Sequence, residues 1–345
     1  MPSLPQHIAV MRLSAMGDVA MTVPVLRAFR KRYPDVRLTV VSTPFLKPLF
    51  DGLPGVTFVP FDKKAYKGVF GLFRFYRKLK ATGIDAFADV HSVTRSRIIG
   101  LFFTLSGYAV ARLDKGRSEK KALTRPDNKV WKPLKTSPER YADVFRSLGY
   151  PLDLFPAEFP QPQPLSDAVW AVTGSKTGRW IGIAPFAQHA PKVYPDDLMQ
   201  DVIKALATWP DVKLLLFGGG KEETARLQAI ADSSPHLVNV AGRLSFTDEL
   251  LLISHLDLML SMDSGNGHLA AIAGVPVVTL WGATHPYAGF APFGQPLSNS
   301  LCPDRERYPM LPTSVFGNKT VVGYEDAMRT ITPESVVEKI RELLP

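Results

Sequence analysis

The sequence predicts an α/β protein with two domains, each built on a parallel sheet. Three observations carry that expectation. Short apolar runs alternate with amphipathic stretches of helical period along nearly the whole chain, the pattern of repeated β-α-β units. The length of 345 residues is about twice that of an average domain. Near the middle, Pro151, Pro156, Pro160, Pro162 and Pro164 crowd into a short stretch of linker composition, and the alternating pattern restarts beyond them.

The elements follow in order. His7 to Leu13 reads as a short buried strand. From Ser14 the period changes, and Val19, Val23, Leu26 and Phe29 fall on one face of a helix that Pro34 ends. Val36 to Val41 is the next strand, which completes a β-α-β unit and implies a parallel sheet. A helix near 68–81, a strand near 85–90 and a helix near 94–105 repeat the theme. Residues 111–136 are basic, polar and without period, and read as a loop or insertion. Pro138 to Leu148 reads as a helix. Past the prolines, strands are expected at 180–184, 212–217, 237–240, 257–261 and 275–281. Helices are expected at 196–209, 222–231, 247–254 and 268–273. A last helix, Pro333 to Leu344, has Thr332 as its cap and proline at the first position. Ligands of such sheets bind at the carboxyl ends of the strands, which for two facing domains means the cleft between them.

Composition narrows the function classes. A single cysteine, Cys302, rules out an intramolecular disulfide framework and a cysteine-rich zinc site. No apolar run reaches a membrane span, and the N-terminus has no secretory pattern, so a cytoplasmic protein is expected. The formal net charge is +9, and its distribution is lopsided. Residues 1–170 hold 27 Lys and Arg against 14 Asp and Glu, whereas 171–345 hold 14 against 18. A basic half points to an anionic partner. The cations gather at Lys63, Lys64 and Lys67, at Arg74, Arg77, Lys78 and Lys80, at Arg95 and Arg97, and from Arg112 to Lys135, with aromatic residues between them at 70–76. Nucleic acid, a phosphorylated lipid or a membrane surface could each use such a face, and so could plain water.

Four stretches carry candidate chemistry. Ser14-Ala15-Met16-Gly17-Asp18 joins a strand to a helix: Gly17 permits close approach to the backbone, and Asp18 could serve as a general base towards a sugar hydroxyl or merely complement the helix dipole. Asp263-Ser264-Gly265-Asn266-Gly267-His268 ends one strand and opens a helix. Its backbone N–H groups would make an anion site, Gly265 and Gly267 would let a phosphate come close, and Asp263, Ser264 and His268 add polar groups. Lys192 lies in a strand-end loop, where it could pair with a diphosphate. Phe217-Gly218-Gly219-Gly220-Lys221-Glu222 is a glycine loop in which Glu222 could accept bonds from ribose hydroxyls. No dinucleotide fingerprint, Walker lysine, catalytic triad or metal-ligand cluster is present.

These stretches in this order resemble glycosyltransferase family 9, the bacterial lipopolysaccharide heptosyltransferases. The resemblance runs from IAVMRLSAMGDVAMTVPVLRAFRKRYP through Lys192 to Pro195 and LFGGGKEE to SMDSGNGHLAAIAGVPVVTLWGATHP, and resumes at DAMRTITPESV. It implies a GT-B fold, with two Rossmann-like domains facing across a cleft. The domains would be an acceptor-binding one at 1–165, a nucleotide-sugar domain at 166–330, and a helix at 331–345 packing back on the first. It implies inverting, metal-independent transfer of a heptose from ADP-heptose to an anionic lipopolysaccharide inner core, at the cytoplasmic face of the inner membrane, with no cofactor and no nucleic acid. Asp18 would be the base, Lys192 and the loop after Asp263 would hold the diphosphate, Glu222 would meet the ribose, and Asp263 and His268 would surround the donor. The sequence departs from the family pattern at Thr284-His285-Pro286, where an acid usually precedes the proline, and at Phe186-Ala187-Gln188 before the lysine. Two other readings compete: a related enzyme using another nucleotide sugar, as a transferase or an epimerase, and a non-enzymatic polyanion-binding protein.

Overall fold

Residues His7–Met11 form β1, with every side chain buried, as befits an apolar strand with parallel neighbours on both sides. The computed structural model describes residues 4–344 and divides them into two units. One holds the chain up to residue 117 together with 135–158. The other holds 118–134 together with everything from 159.

In the first unit β1 is followed by α1 (Met16–Ala20) and α2 (Val23–Arg32). The single helix expected here is broken at Met21–Thr22. Pro24 has no N–H to give to the carbonyl of Ala20, so the helix ends and restarts with the proline in its first turn. Then come β2 (Arg37–Ser42), β3 (Val56–Pro60), α3 (Gly68–Lys80), β4 (Ala86–Asp89), α4 (Thr94–Leu105) and β5 (Ala109–Arg112); α5 (Arg117–Thr124) follows in the chain but lies, from residue 118, in the second unit, and α6 (Ser137–Ser147) returns to the first. The sheet has the order β3-β2-β1-β4-β5 and is parallel throughout. Sequence reasoning missed β3 and β5, which are short edge strands with mixed burial. The core between the sheet and α3 and α4 is aromatic: Phe75, Phe87 and Phe103 are fully buried, and the last two stack at 5.2 Å. Each such ring contributes about 1.5–3 kcal/mol by leaving water.

Residues 111–136 are not one loop. They contain the end of β5 and all of α5, and residues 118–134 belong to the second unit. There Leu123 and Leu134 pack with Ala288, and the Leu134 amide donates to the Tyr287 carbonyl at 2.9 Å.

The second unit continues with α7 (Asp167–Thr173), β6 (Arg179–Ala184), α8 (Asp196–Ala207), β7 (Val212–Leu216), α9 (Gly220–Ala231), β8 (Leu237–Asn239), α10 (Phe246–Ile253), β9 (Leu258–Met262), α11 (Gly265–Ile272), β10 (Val277–Leu280), β11 (Ser300–Leu301) and α12 (Pro333–Leu343). Its sheet is again parallel, in the order β11-β10-β9-β6-β7-β8. The helix α12 was expected on the first domain. Instead its Val336 and Ile340 belong to the core of the second unit, where α12 packs on α8 and β9. Its one apolar stripe is occupied there.

Both sheets reverse their winding at an identifiable pair of strands. In the first, the chain leaves β1 towards β2 and leaves β4 towards β5, so the reversal lies between β1 and β4. In the second it lies between β6 and β9. The loops after such strands diverge to opposite sides and leave a crevice at the carboxyl edge, where open α/β sheets bind ligands.

Candidate active site

The first unit places Asp18 at its reversal. Arg12 follows β1 directly and is buried, and its guanidinium is fixed by the carbonyls of Ser14 at 3.0 Å and Val90 at 2.8 Å. From there Nη2 reaches Asp18 Oδ2 at 2.5 Å. The same carboxylate accepts the Ala15 amide at 3.4 Å and lies within hydrogen-bonding reach of the Tyr141 hydroxyl. Asp18 keeps 28% of its side chain exposed, so its second oxygen can meet a ligand. Gly17 is buried in the first turn of α1.

The neighbouring strand end supplies the other wall. Asp89 is fully buried at the end of β4, and its Oδ1 accepts the amides of His91 at 3.1 Å and Ser92 at 2.7 Å. That bends the chain so that His91 Nδ1 receives the Leu13 amide at 3.4 Å, which joins the β4 turn to the β1 turn. Burial, and then the charges of Arg12 and Lys115, push the His91 imidazole down to about 3. Burial, followed by Arg12 and Arg117, likewise pushes Lys115 below the usual lysine range. The Asp18 carboxylate therefore sits in a cationic setting beside a neutral histidine. Burial also raises the Tyr141 phenol, so it stays protonated as a donor.

The second unit builds a cluster of its own on a comparable plan. Lys192 closes a short 3₁₀ turn (Ala190–Lys192) after β6, and Asp263 follows β9. They form an ion pair, Nζ to Oδ2, of 2.8 Å across the reversal, with side chains only 14% and 9% exposed. The Thr284 hydroxyl donates to the same Oδ2 at 2.8 Å. The lysine loop is clamped by glycines. A Cβ on Gly282 would stand 2.2 Å from the Pro191 carbonyl oxygen, and one on Gly317, at φ +74°, would run into the Lys192 side chain. The Ala283 amide completes the clamp with a 2.9 Å bond to Pro191.

Next to this pair, α11 opens without a side-chain cap. Ser264 occupies the capping position, yet its hydroxyl pairs with Ser261 at 3.2 Å rather than with the helix. Thr136, Ser166, Ser245 and Thr332 each cap their own helices, whereas α2, α3, α8 and α9 open without a side-chain cap as α11 does. The first-turn amides of α11, from Gly265 to Gly267, are thus left to face an incoming acceptor. Gly267 is buried, with its Cα side against Ser261, and His268 is buried one residue on.

Of the residues expected in the site, Lys192, Asp263, Ser264, Gly265, Gly267 and His268 are gathered in one locality of the second unit. Glu222 stands apart, exposed in the first turn of α9, without a hydrogen bond or ion pair to another described residue. Its neighbour Glu223 is committed to the Gly219 amide at 2.8 Å. Sequence reasoning missed Arg12, His91, Lys115 and Tyr141, and it treated Thr284 only as a departure. Arg12 had one sign, a charged residue directly after the apolar run Ile8 to Met11; Tyr141 had none. No group of three or more His, Cys, Asp or Glu side chains placed to hold a metal ion occurs among the described residues, and none of the described helices is long and apolar enough to cross a membrane.

Comparison with known proteins bears on the family and the fold. The profile of glycosyltransferase family 9 (heptosyltransferase) matches residues 72–311. A lipopolysaccharide core heptosyltransferase, OpsX of Haemophilus influenzae, is 26% identical over 303 residues, covering 82% of this chain and 80% of its own. Among solved structures, a family 9 glycosyltransferase from Veillonella parvula superposes with a TM-score of 0.74 at 18% identity, over 98% of this chain and 97% of its own. The E. coli heptosyltransferase WaaC, solved with ADP, superposes with a TM-score of 0.66 at 18% identity, over 98% and 99%. The fold is the GT-B fold of these enzymes.

Proposed function

Because the chain belongs to glycosyltransferase family 9, the heptosyltransferase family, we propose that it moves a heptose from ADP-heptose onto the lipopolysaccharide inner core, with inversion at the anomeric carbon. Asp18 acts as the general base. It takes the proton of the acceptor hydroxyl as that oxygen bonds to the anomeric carbon and the bond to the ADP phosphate breaks. The transition state has oxocarbenium character, as in glycoside chemistry generally. ADP departs with the electron pair, and Lys192 with the first-turn amides of α11 receives the growing negative charge. These donors supply the electrostatic work that a divalent ion does in other transferases, so the reading is metal-independent. Arg12, Lys115 and Arg117 suit an acceptor that is itself anionic, presented at the cytoplasmic face of the inner membrane.

The observation that carries this reading is the Lys192–Asp263 pair beside the uncapped start of α11. A largely buried cation and first-turn amides at a sheet reversal suit a diphosphate. A polyanion-binding protein would need the basic surface of the first unit but not this arrangement. The test is calorimetric titration with ADP, UDP and GDP, each with and without a chelator, followed by turnover of ADP-heptose on an inner-core acceptor. ADP binding indifferent to chelator, with turnover, is the expected result. Preference for UDP or GDP would move the donor to another nucleotide sugar, and the absence of any nucleotide binding would sink the transferase reading.

A further inference from the structure

Two helices of the first unit present apolar side chains to water in the middle of its strongest positive charge. On α3, Phe70 is 91% exposed, and Val69 and Phe73 are also open. On α4, Leu105 is 75% exposed and Leu101 half exposed. The two helices pack together, and the Phe73 ring meets Phe102 edge-on at 5.2 Å, so these residues belong to one surface. Between the helix starts lies an open groove of about 430 Å³, lined by Tyr66, Val69, Leu72, Val93, Arg95 and Ile98.

The surrounding charge has one sign. Lys63, Lys64 and Lys67 precede α3, Arg74, Arg77, Lys78 and Lys80 lie on it, and Arg95 and Arg97 lie on α4. No Asp or Glu occurs at 63–84 or at 90–113. Large apolar side chains standing in water cost free energy unless something covers them. Cations without acids repel one another unless an anion answers them. An anionic bilayer surface satisfies both needs, since apolar tips enter the acyl boundary while Lys and Arg meet the headgroups. A folded protein partner would have to supply a matching apolar hollow lined with acids.

The position of the groove adds a reason. Its Val93 and Arg95 wall continues the β4 turn, whose His91 is bonded to the Asp18 turn through the Leu13 amide. The groove therefore opens at the sheet edge that carries Asp18. The geometry points to the α3–α4 face as a docking surface for an anionic lipid bilayer, which brings the Asp18 turn to an acceptor anchored in that bilayer. The inference rests on the glycolipid acceptor proposed above.

The test is co-sedimentation of the full chain with vesicles of phosphatidylcholine containing phosphatidylglycerol, against phosphatidylcholine alone. The chain should bind the anionic vesicles and release from them as salt rises. The double variants Phe70→Ser with Leu105→Ser, and Arg77→Gln with Lys78→Gln, should each weaken binding at least about 10-fold. Both pairs are exposed, and both variants should keep wild-type melting temperature, ADP affinity and turnover on a deacylated, water-soluble acceptor. Wild-type chain left in the supernatant, or variants that bind as wild type does, would overturn the proposal. Binding to micelles of the acylated acceptor but not to acceptor-free vesicles would also overturn it, and would assign the groove to the acyl chain of the acceptor. The two readings fail separately: loss of ADP binding with vesicle binding kept would sink the transferase reading alone.

Discussion

Lys192 Nζ lies 2.8 Å from Asp263 Oδ2, and the pair spans the two strand ends, after β6 and after β9, at which the second sheet reverses. Neither side chain is free. The lysine is neutralised by the aspartate, and the aspartate is also bonded by Thr284. Under the proposed function, a diphosphate arriving at the start of α11 would compete with Asp263 for the ammonium group, and the pair would hold a cation in reserve for the leaving group.

Lys192→Ala should therefore have two effects. Removal of one preorganised donor typically costs about 10²–10³ in turnover, and ADP affinity should fall at least 10-fold by calorimetry. The protein should also lose stability, by about 3 kcal/mol or more if Asp263 remains charged, because a largely buried carboxylate loses its partner. Asp263→Asn keeps an acceptor for Thr284 and frees the lysine, so it should retain ADP binding. Equal loss of ADP affinity in both variants would argue that the pair shapes the loop rather than contacting the nucleotide.

Asp18→Asn should separate chemistry from binding. The amide keeps the shape of the side chain but cannot take a proton. Positioned general bases contribute about 10²–10⁴-fold, so turnover should fall within that range while ADP affinity stays at the wild-type value. Turnover within twofold of wild type would remove Asp18 from the role of base.

Two buried histidines and one half-buried glutamate carry the largest pH-dependent contributions to stability between pH 3 and 7. His91 and His285 are pushed down to about 3 and about 4, first by burial and then by Arg12 and Arg305 respectively. The unfolded imidazole, near 6.5, binds a proton that the folded one refuses, so stability is lost as pH falls below about 6.5. Glu249 runs the other way, since burial pushes it up from 4.5 to about 7. The folded state keeps a proton that the unfolded chain has released, and stability is lost as pH rises from about 4.5 towards 7. Melting temperature should thus peak between about pH 6 and 7. Glu249→Gln should raise it at pH 8, by up to about 3 kcal/mol in stability, and change little at pH 4. A Glu249→Gln gain that is the same at both pH values would show that packing, not ionisation, is responsible.

Much of this organisation is legible in the sequence, and the limits have physical causes. The buried strands β1, β6, β7 and β9 announce themselves as apolar runs, and the change from the apolar run of β9 to Gly265-Asn266-Gly267 marks the start of α11. The edge strands β3 and β5 bury few side chains and so carry little pattern. Pro24 could have signalled the break between α1 and α2, but amphipathic period was followed across it. The partnership of Arg12 with Asp18 depends on the turn between them, and that of Asp263 with Thr284 on parallel pairing of β9 with β10; neither has a fixed spacing. The assignment of residues 118–134 to the second unit depends on contacts with chain more than 150 residues later.

That last segment gives a prediction of its own. Trp131 lies with its ring 4.6 Å from His285 and 4.9 Å from Tyr287, and the Arg305 guanidinium covers it at 3.4 Å. Lys129 Nζ donates to the carbonyl of Pro312 at 2.9 Å, and the Lys120 ammonium stands 3.9 Å from the Phe290 ring centroid. These contacts brace the loop that follows β10, and the residue just before His285 is Thr284, the second partner of Asp263. Trp131→Ala removes the ring on which His285, Tyr287 and Arg305 converge. It should cost about 1–3 kcal/mol of stability, the range for losing a partly buried ring together with a cation over its face. The loosened Thr284 should also weaken ADP binding several-fold, whereas Trp131→Phe, which keeps an aromatic surface, should recover most of both losses. Unchanged melting temperature and ADP affinity in Trp131→Ala would show that the segment rests on the second unit without supporting its site.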